Sequence, residues 1–463
     1  MYLKNTATTL SLLALLLPII GCNPNSEDTP KPALTLQTTG ANAVESCEIP
    51  SEWVTDGIPD PSILAKNSKF DSFCDFHTWS WNAFLWSMEE IDGVLRFETF
   101  PTQEQTIKGS FDAKAKSKML TLQPRAAKGD HPIDSVAQAG TLGILVAQNS
   151  RGVYYSQHVN AQMYNQIIKD NWNNAKGLID ESPQALFDVG NIEYKAAWAV
   201  VDDNFSVPGA YTRKASIPLL ATVEVNGVPT ITVPPNPTYV EEEVALIGLH
   251  VVGWVNEHSE AIWASFSPDM IAPVVPTDAK GNPTIGVDDP VSADGTPFYA
   301  ANTKLSDCNQ TQVPVQKLND ATQEFALVSQ VCQVYATGTI GGTTKPNGQT
   351  IEALNTSAAS TLPKDWAAAT YSEIGAVWSK SDSSMPDKLN STFQDALVGS
   401  DVLSNPVIET FTQTDVAQHN CFSCHNSLQF QPSNPSIPPL HASMLNLSHF
   451  LMQIYVDTYQ PAN

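Results

Sequence analysis

The chain has 463 residues, of which 42% are hydrophobic, enough for a sizeable core and too many for a globally disordered protein. Its 24 Lys and Arg stand against 48 Asp and Glu, a net charge of −24, and such a surface repels phosphate backbones, which argues against nucleic-acid binding. An acidic face steers a basic partner such as a soluble cytochrome, but acidity is also a habit of secreted proteins, and that is the plainer reading.

Residues 1–21 carry one positive charge, Lys4, and then an apolar run from Leu10 to Ile20. That run is too short to span a bilayer and fits the core of a signal peptide. It closes on Gly21-Cys22, the pattern of a bacterial lipobox, in which the cysteine is lipidated and becomes the mature N-terminus. Asn23 after it favours the outer membrane. The expected location is therefore the cell envelope, periplasmic or surface-facing, with the lipid on Cys22 as the membrane anchor. Residues 22–45, rich in Pro, Ser, Thr and Asn, read as a flexible tether.

Past Cys22, and apart from a C-terminal pair at 421 and 424, four cysteines remain, at 47, 74, 308 and 332. In an oxidising compartment they most simply form two disulfides, with Cys47–Cys74 and Cys308–Cys332 as the nearest-neighbour pairing; spacing alone does not fix the connectivity.

The first packed element is a helix over Ser72–Met88, whose crowd of aromatics exceeds one face and implies burial on most sides. Leu142–Val146, a polar turn at 149–152 and Val153–Tyr155 read as a β-hairpin. Ala161–Asn173 has helical spacing. From about 190 to 270 the pattern is strongly β: Ile192–Val201, Leu219–Val225, Val228–Val233, Val244–Val255 and Ala261–Phe266, with Asn226-Gly227 as a hairpin turn. Residues 268–305 lack periodicity. Regular structure is expected again over Thr322–Cys332, loop over Thr337–Ser360, and helix from Trp366 on, at Val407–Gln418 and Ala442–Tyr455. No Gly-rich phosphate loop, nucleophile elbow or H-E-x-x-H helix occurs. The expected fold class is α+β: a large antiparallel, sandwich-like main domain over 46–365 with flanking helices, and a helical segment over 366–463.

That segment holds the most specific motif, Cys421-Phe422-Ser423-Cys424-His425. C-x-x-C-H attaches haem c because thiols at i and i+3 share a helical face and the following histidine becomes the proximal iron ligand. A thioredoxin-like pair wants a βαβ context, and a zinc site wants further ligands close by; neither is evident. One covalent haem c is expected, on Cys421 and Cys424, with His425 as iron ligand. Only 38 residues follow His425, few for a separate cytochrome domain. Met444 or His449 is the candidate distal ligand, with Met452 and His441 behind them. His250, in an apolar strand, reads first as a core histidine, His258 as solvated, and His77 as a residue that could face a buried haem. Glu193 and Lys195 read as the polar face of a strand.

Several segments together resemble a known pattern. Glu193-Tyr-Lys195-Ala-Ala-Trp198 is similar to E-x-K-A-A-W, Gly248-Leu-His250-Val-Val252 to G-L-H-I-V, and Trp263-Ala-Ser-Phe266 to W-A-T-F-E. Asn405-Pro-Val-Ile-Glu409-Thr410 ahead of the C-x-x-C-H is similar to A-N-x-x-x-E-T. Over about 70–463 the chain thus resembles bacterial secreted proteins labelled cytochrome c family proteins. The resemblance implies haem c and electron transfer with a redox partner, and names no substrate. It marks His250 and Glu409 as positions without a stated role. The chain departs at Phe266-Ser-Pro-Asp269, where F-E-H-V is frequent. The leading expectation is electron transfer in the envelope; the alternative is a haem-dependent, peroxidase-like oxidoreductase whose main domain binds a small substrate.

Overall fold

The computed structural model describes residues 47–461, except 113–118, 125–143, 226–227, 235, 279–281, 311–315, 336–344, 380–396, 401, 415–420, 433 and 442–443. The leader, Cys22, the tether and the Asn226-Gly227 turn lie outside the described residues. Val44–Asn463 forms one compact unit. No helix among the described residues is long and apolar enough to cross a membrane.

Helix α1 (Phe73–Ser87) starts on a capping box: the Ser72 hydroxyl accepts from the Asp75 amide while the Asp75 carboxylate accepts from the Ser72 amide. Ten of its fifteen residues are buried, so the aromatic crowd is explained by burial on nearly every side. At its start, the Cys47–Cys74 disulfide ties the N-terminal segment down; Cys308–Cys332 closes the second expected bridge within the irregular region beyond residue 268.

The centre is a nine-stranded sheet built from β1 (Leu120–Thr121), β2 (Gln123–Pro124), β3 (Val153–Val159), β4 (Ile192–Val200), β5 (Thr212–Pro218), β8 (Tyr239–Val255), β9 (His258–Pro268), β10 (Tyr371–Ser379) and β11 (Leu397–Gly399). A separate hairpin, β6 (Ala221–Val225) and β7 (Val228–Thr232), precedes β8. The strands run β11-β10-β9-β8-β4-β3-β2, all antiparallel, with β5 paired to β8 and, in parallel, to β1.

The sandwich expectation is corrected here. Among the described residues there is one large sheet, not two packed face to face. The cause is β8. Its seventeen residues alternate exposed and half-buried from Tyr239 to Glu243, then run apolar except at His250, because both faces are covered from Val244 on. Its first part pairs with β5 and its last part with β9, while β4 lies along the other edge. Residues 120–124 join β5 to β3, so the pairings β8–β4–β3–β5–β8 close into a ring at one end.

Alternation assigns the two faces. Leu249, Val251, Ile262, Ala264 and Phe266 pack with Trp81 and Phe84 of α1 and with α3 (Lys345–Thr361). Val252, Trp254, Trp263, Ile374 and Val377 pack with the C-terminal residues Leu445, Phe450 and Leu451. The molecule is thus helix, sheet and C-terminal segment in three layers, a mixed α+β fold.

Other expectations shift as well. Helix α2 (Ala161–Lys169) is shorter than predicted, and the 147–151 turn precedes β3 as expected. Thr337–Ser360, expected to be loop, holds α3. Thr322–Cys332 contributes only the two-residue strand Glu324–Phe325. The segment from 366 is not helical throughout: β10 and β11 belong to the sheet, so the boundary placed at 365 cuts through one core. Val407–Gln418 contains a 3-10 turn at Thr410–Thr414, with 415–420 outside the described residues. The last helix, α5 (His449–Thr458), begins after a 3-10 turn at Met444–Leu447.

Candidate functional site

Cys421, Cys424 and His425 open on a cavity of about 750 Å³, part of it continuous with solvent, between the sheet and the C-terminal segment. The motif forms a single helical turn, α4 (Cys421–Cys424), and the His425 amide donates to the Cys421 carbonyl at 2.8 Å. Both thiols are free. Burial pushes the Cys424 thiol up to about 11, helped by the negative Glu409 nearby, and the same causes raise Cys421 further. A dithiol redox pair or thiolate metal site wants the opposite shift. Among the described residues, no three His, Cys, Asp or Glu are arranged to hold a bare metal ion.

The His425 ring is placed through Nδ1, which donates to the Leu447 carbonyl at 2.8 Å. That fixes the tautomer and leaves the Nε2 lone pair without a protein partner among the described residues, the arrangement that presents an imidazole to a metal. Burial, followed by the neighbouring His449, lowers the basicity of His425 and keeps it neutral, as a ligand must be. Trp263 packs against the ring at 4.3 Å between centroids.

His449 lines the cavity too, at the start of α5. Its ring stacks on His425 with centroids 3.6 Å apart and planes 23° from parallel. The two rings are neighbours on the cavity wall. Burial, with Lys195 nearby, takes His449 down to about 4, and its Nδ1 has no partner among the described residues. Met444 is half-buried against the apolar cluster under α5 and is not part of the cavity wall. Met452 is fully buried core, and His441 is exposed.

The opposite wall is the sheet. Gln157 on β3, Lys195 on β4 and His250 on β8 are register partners in one row, and all three line the cavity. Glu409 reaches the row from the 405–409 turn: its Oε1 lies 2.5 Å from His250 Nε2, and its Oε2 accepts from the Asn405 amide at 2.9 Å. The Asn405 side chain in turn donates to the Ser265 hydroxyl at 2.9 Å, and Ser265 is the cross-strand partner of His250 on β9. Burial alone would raise Glu409, but His250, Lys195 and the Asn405 amide hold it below the usual carboxylate range. Beside the row, burial pushes Glu193 up to about 7, and it accepts from the Ser448 hydroxyl, which also caps α5. Val252, Trp263 and Leu403 supply apolar lining.

Glu193 and Lys195, expected to be an ordinary polar strand face, therefore face the cavity. His250 is likewise a wall residue and not a sealed core histidine. His77 stands elsewhere, buried between Glu373 and Asn347 at 2.7 Å each. His258, expected to be solvated, is buried and bonds Glu260 at 2.7 Å. Compared with known proteins, the chain matches no family model, no curated protein and no solved structure.

Proposed function

We propose that the chain is an exported, lipid-anchored protein that binds one haem c through Cys421, Cys424 and His425 and transfers electrons to or from a redox partner in the cell envelope. The observation that carries this reading is the convergence on one cavity of two free thiols and an imidazole whose Nδ1 is engaged and whose Nε2 has no protein partner among the described residues. The residues fit the group. Each thiol, held protonated, can add its S–H across a vinyl group, sulfur to one carbon and hydrogen to the other, with no oxidant or reductant needed. Val252, Trp263 and Leu403 offer apolar contact to a flat macrocycle. Bound there, the haem would supply one-electron chemistry. The chain's own part is to hold His425 neutral and oriented through Leu447 and to limit water on the site.

A second reading, a haem-dependent oxidoreductase acting on a small substrate, is favoured by the row Gln157, Lys195, His250. That row sets an imidazole–carboxylate pair and a lysine on the sheet wall of the same cavity as Cys421, Cys424 and His425, an acid–base set that electron transfer alone does not use.

The test is expression with the cytochrome c maturation machinery, followed by haem staining on a denaturing gel and a pyridine haemochrome assay. One haem per chain is expected, and Cys424→Ser should remove most of the stain while export continues. A stain of full strength in that variant, or none in the parent, overturns the reading.

A further inference from the structure

The polar row and the stacking of His449 point to a second role for the cavity. The sheet forms one wall of the cavity, and its Trp263 packs against the His425 ring. There the one side chain of a strongly iron-ligating type is His250, whose Nε2 is already engaged by Glu409. Glu409 is itself oriented by the Asn405 amide and linked through Asn405 to Ser265. A carboxylate that accepts from Nε2–H fixes the tautomer of the ring and makes Nδ1 the basic nitrogen. No protein group among the described residues hydrogen-bonds to Nδ1. The pair keeps 16% of each side chain accessible, and both line the cavity. An imidazole with a carboxylate behind it is the arrangement that accepts a proton and stabilises the resulting imidazolium.

We propose that the cavity, once haem is bound, would also admit a small protic ligand of the hydroperoxide class, with His250 as the group that takes the ligand's proton and Glu409 as its positioning residue. This rests on the haem reading above. The step balances simply: the ligand's O–H proton moves to His250 Nδ1, the conjugate anion remains in the cavity, and no electron is transferred. Lys195, next to His250 in the row, supplies positive charge for that anion; Glu193 and Glu409 stand on the same side, and His425 and His449 on the other. Entry from solvent is provided by the open part of the cavity.

Hydrogen cyanide serves as the probe on the oxidised holoprotein, because it is a weak acid that must lose its proton as it binds, and carbon monoxide serves on the reduced one. Covalent haem is assayed first, so a failed haem reading is recognised before any ligand is added. With haem in place, both probes should bind. His250→Gln and the isosteric Glu409→Gln should each weaken cyanide roughly ten- to hundredfold, the scale of one hydrogen bond to a charged group. Both should also shift the C–O stretch of the carbon monoxide adduct, which a purely structural role would leave in place; if one variant fails to take up haem, the other decides. Haem that binds neither probe until His449→Ala or Met444→Ala is introduced overturns the inference and leaves the haem reading intact. Probes that bind equally well in parent and variants overturn the assignment to His250.

Discussion

His158 on β3 is fully buried with one nitrogen served: Nδ1 lies 3.1 Å from the Phe100 carbonyl, and Nε2 has no partner among the described residues. Burial takes it from its ordinary 6.5 down to about 4, against a small opposing pull from that carbonyl. Between those values the unfolded chain holds the proton and the folded chain does not, so stability rises with pH across the window. Acidification from pH 7 to 4 removes up to about 3 kcal/mol through this residue. His158→Gln should flatten that limb, so that the difference between parent and variant in urea unfolding free energy changes sharply between pH 7 and 4.5. A difference that stays constant with pH would mean that the imidazole is not what responds. Single residues also mark the limit of what the chain discloses about itself. The C-x-x-C-H motif is legible because its parts are local, five residues forming one turn. The His250–Glu409 pair joins positions 159 residues apart, and nothing in either neighbourhood announces the other. Lys195 and Glu193 alternate with apolar residues as any strand's polar face would, and only the layer packed above them turns that face into a cavity wall.

At the scale of elements, the helix-to-sheet contact depends on one missing side chain. Gly253 on β8 sits under the Trp79 ring, and a Cβ there would come within 2.0 Å of it. Gly253→Ala forces either the indole or the strand to move, an overpacking cost of about 1–3 kcal/mol, visible as a lower urea midpoint. Trp79→Phe in the same background should recover part of the loss by making room; no recovery would place the damage in the strand itself. The strands of this region were readable because their apolar runs are long and β-branched. Helix α3 was not, since its Asn, Ser, Thr and Gly residues have weak helix propensity. Its buried apolar positions among the described side chains are few, Ile351, Leu354 and Ala358, and it is held by packing against the sheet and by Asn347 bonding His77. Strand β10 was missed for the reverse reason, a short β run set between helix-like stretches, whose role as a strand is decided by pairing with β9.

At the scale of the whole molecule, the sheet is the partition between two cores, and the C-terminal segment is one of its two covers. Leu451 is fully buried among Phe450, Leu447 and the sheet residues Val252 and Trp263, and α5 closes the cavity through His449. If the segment is part of the same cooperative unit as the rest, damage there must be felt across the sheet. Leu451→Ala should cost about 2–5 kcal/mol. Hydrogen exchange should then show the slowest amides of α5 and of α1, on opposite faces, losing protection by the same amount. Loss confined to α5 would identify a cover that opens on its own while the sheet and α1 stay closed. The cavity would then admit large molecules through that opening, and α5 would act as a lid. Equal loss means that the site is built from the fold as a whole, and that the motif near the C-terminus depends on strands laid down some two hundred residues earlier in the chain.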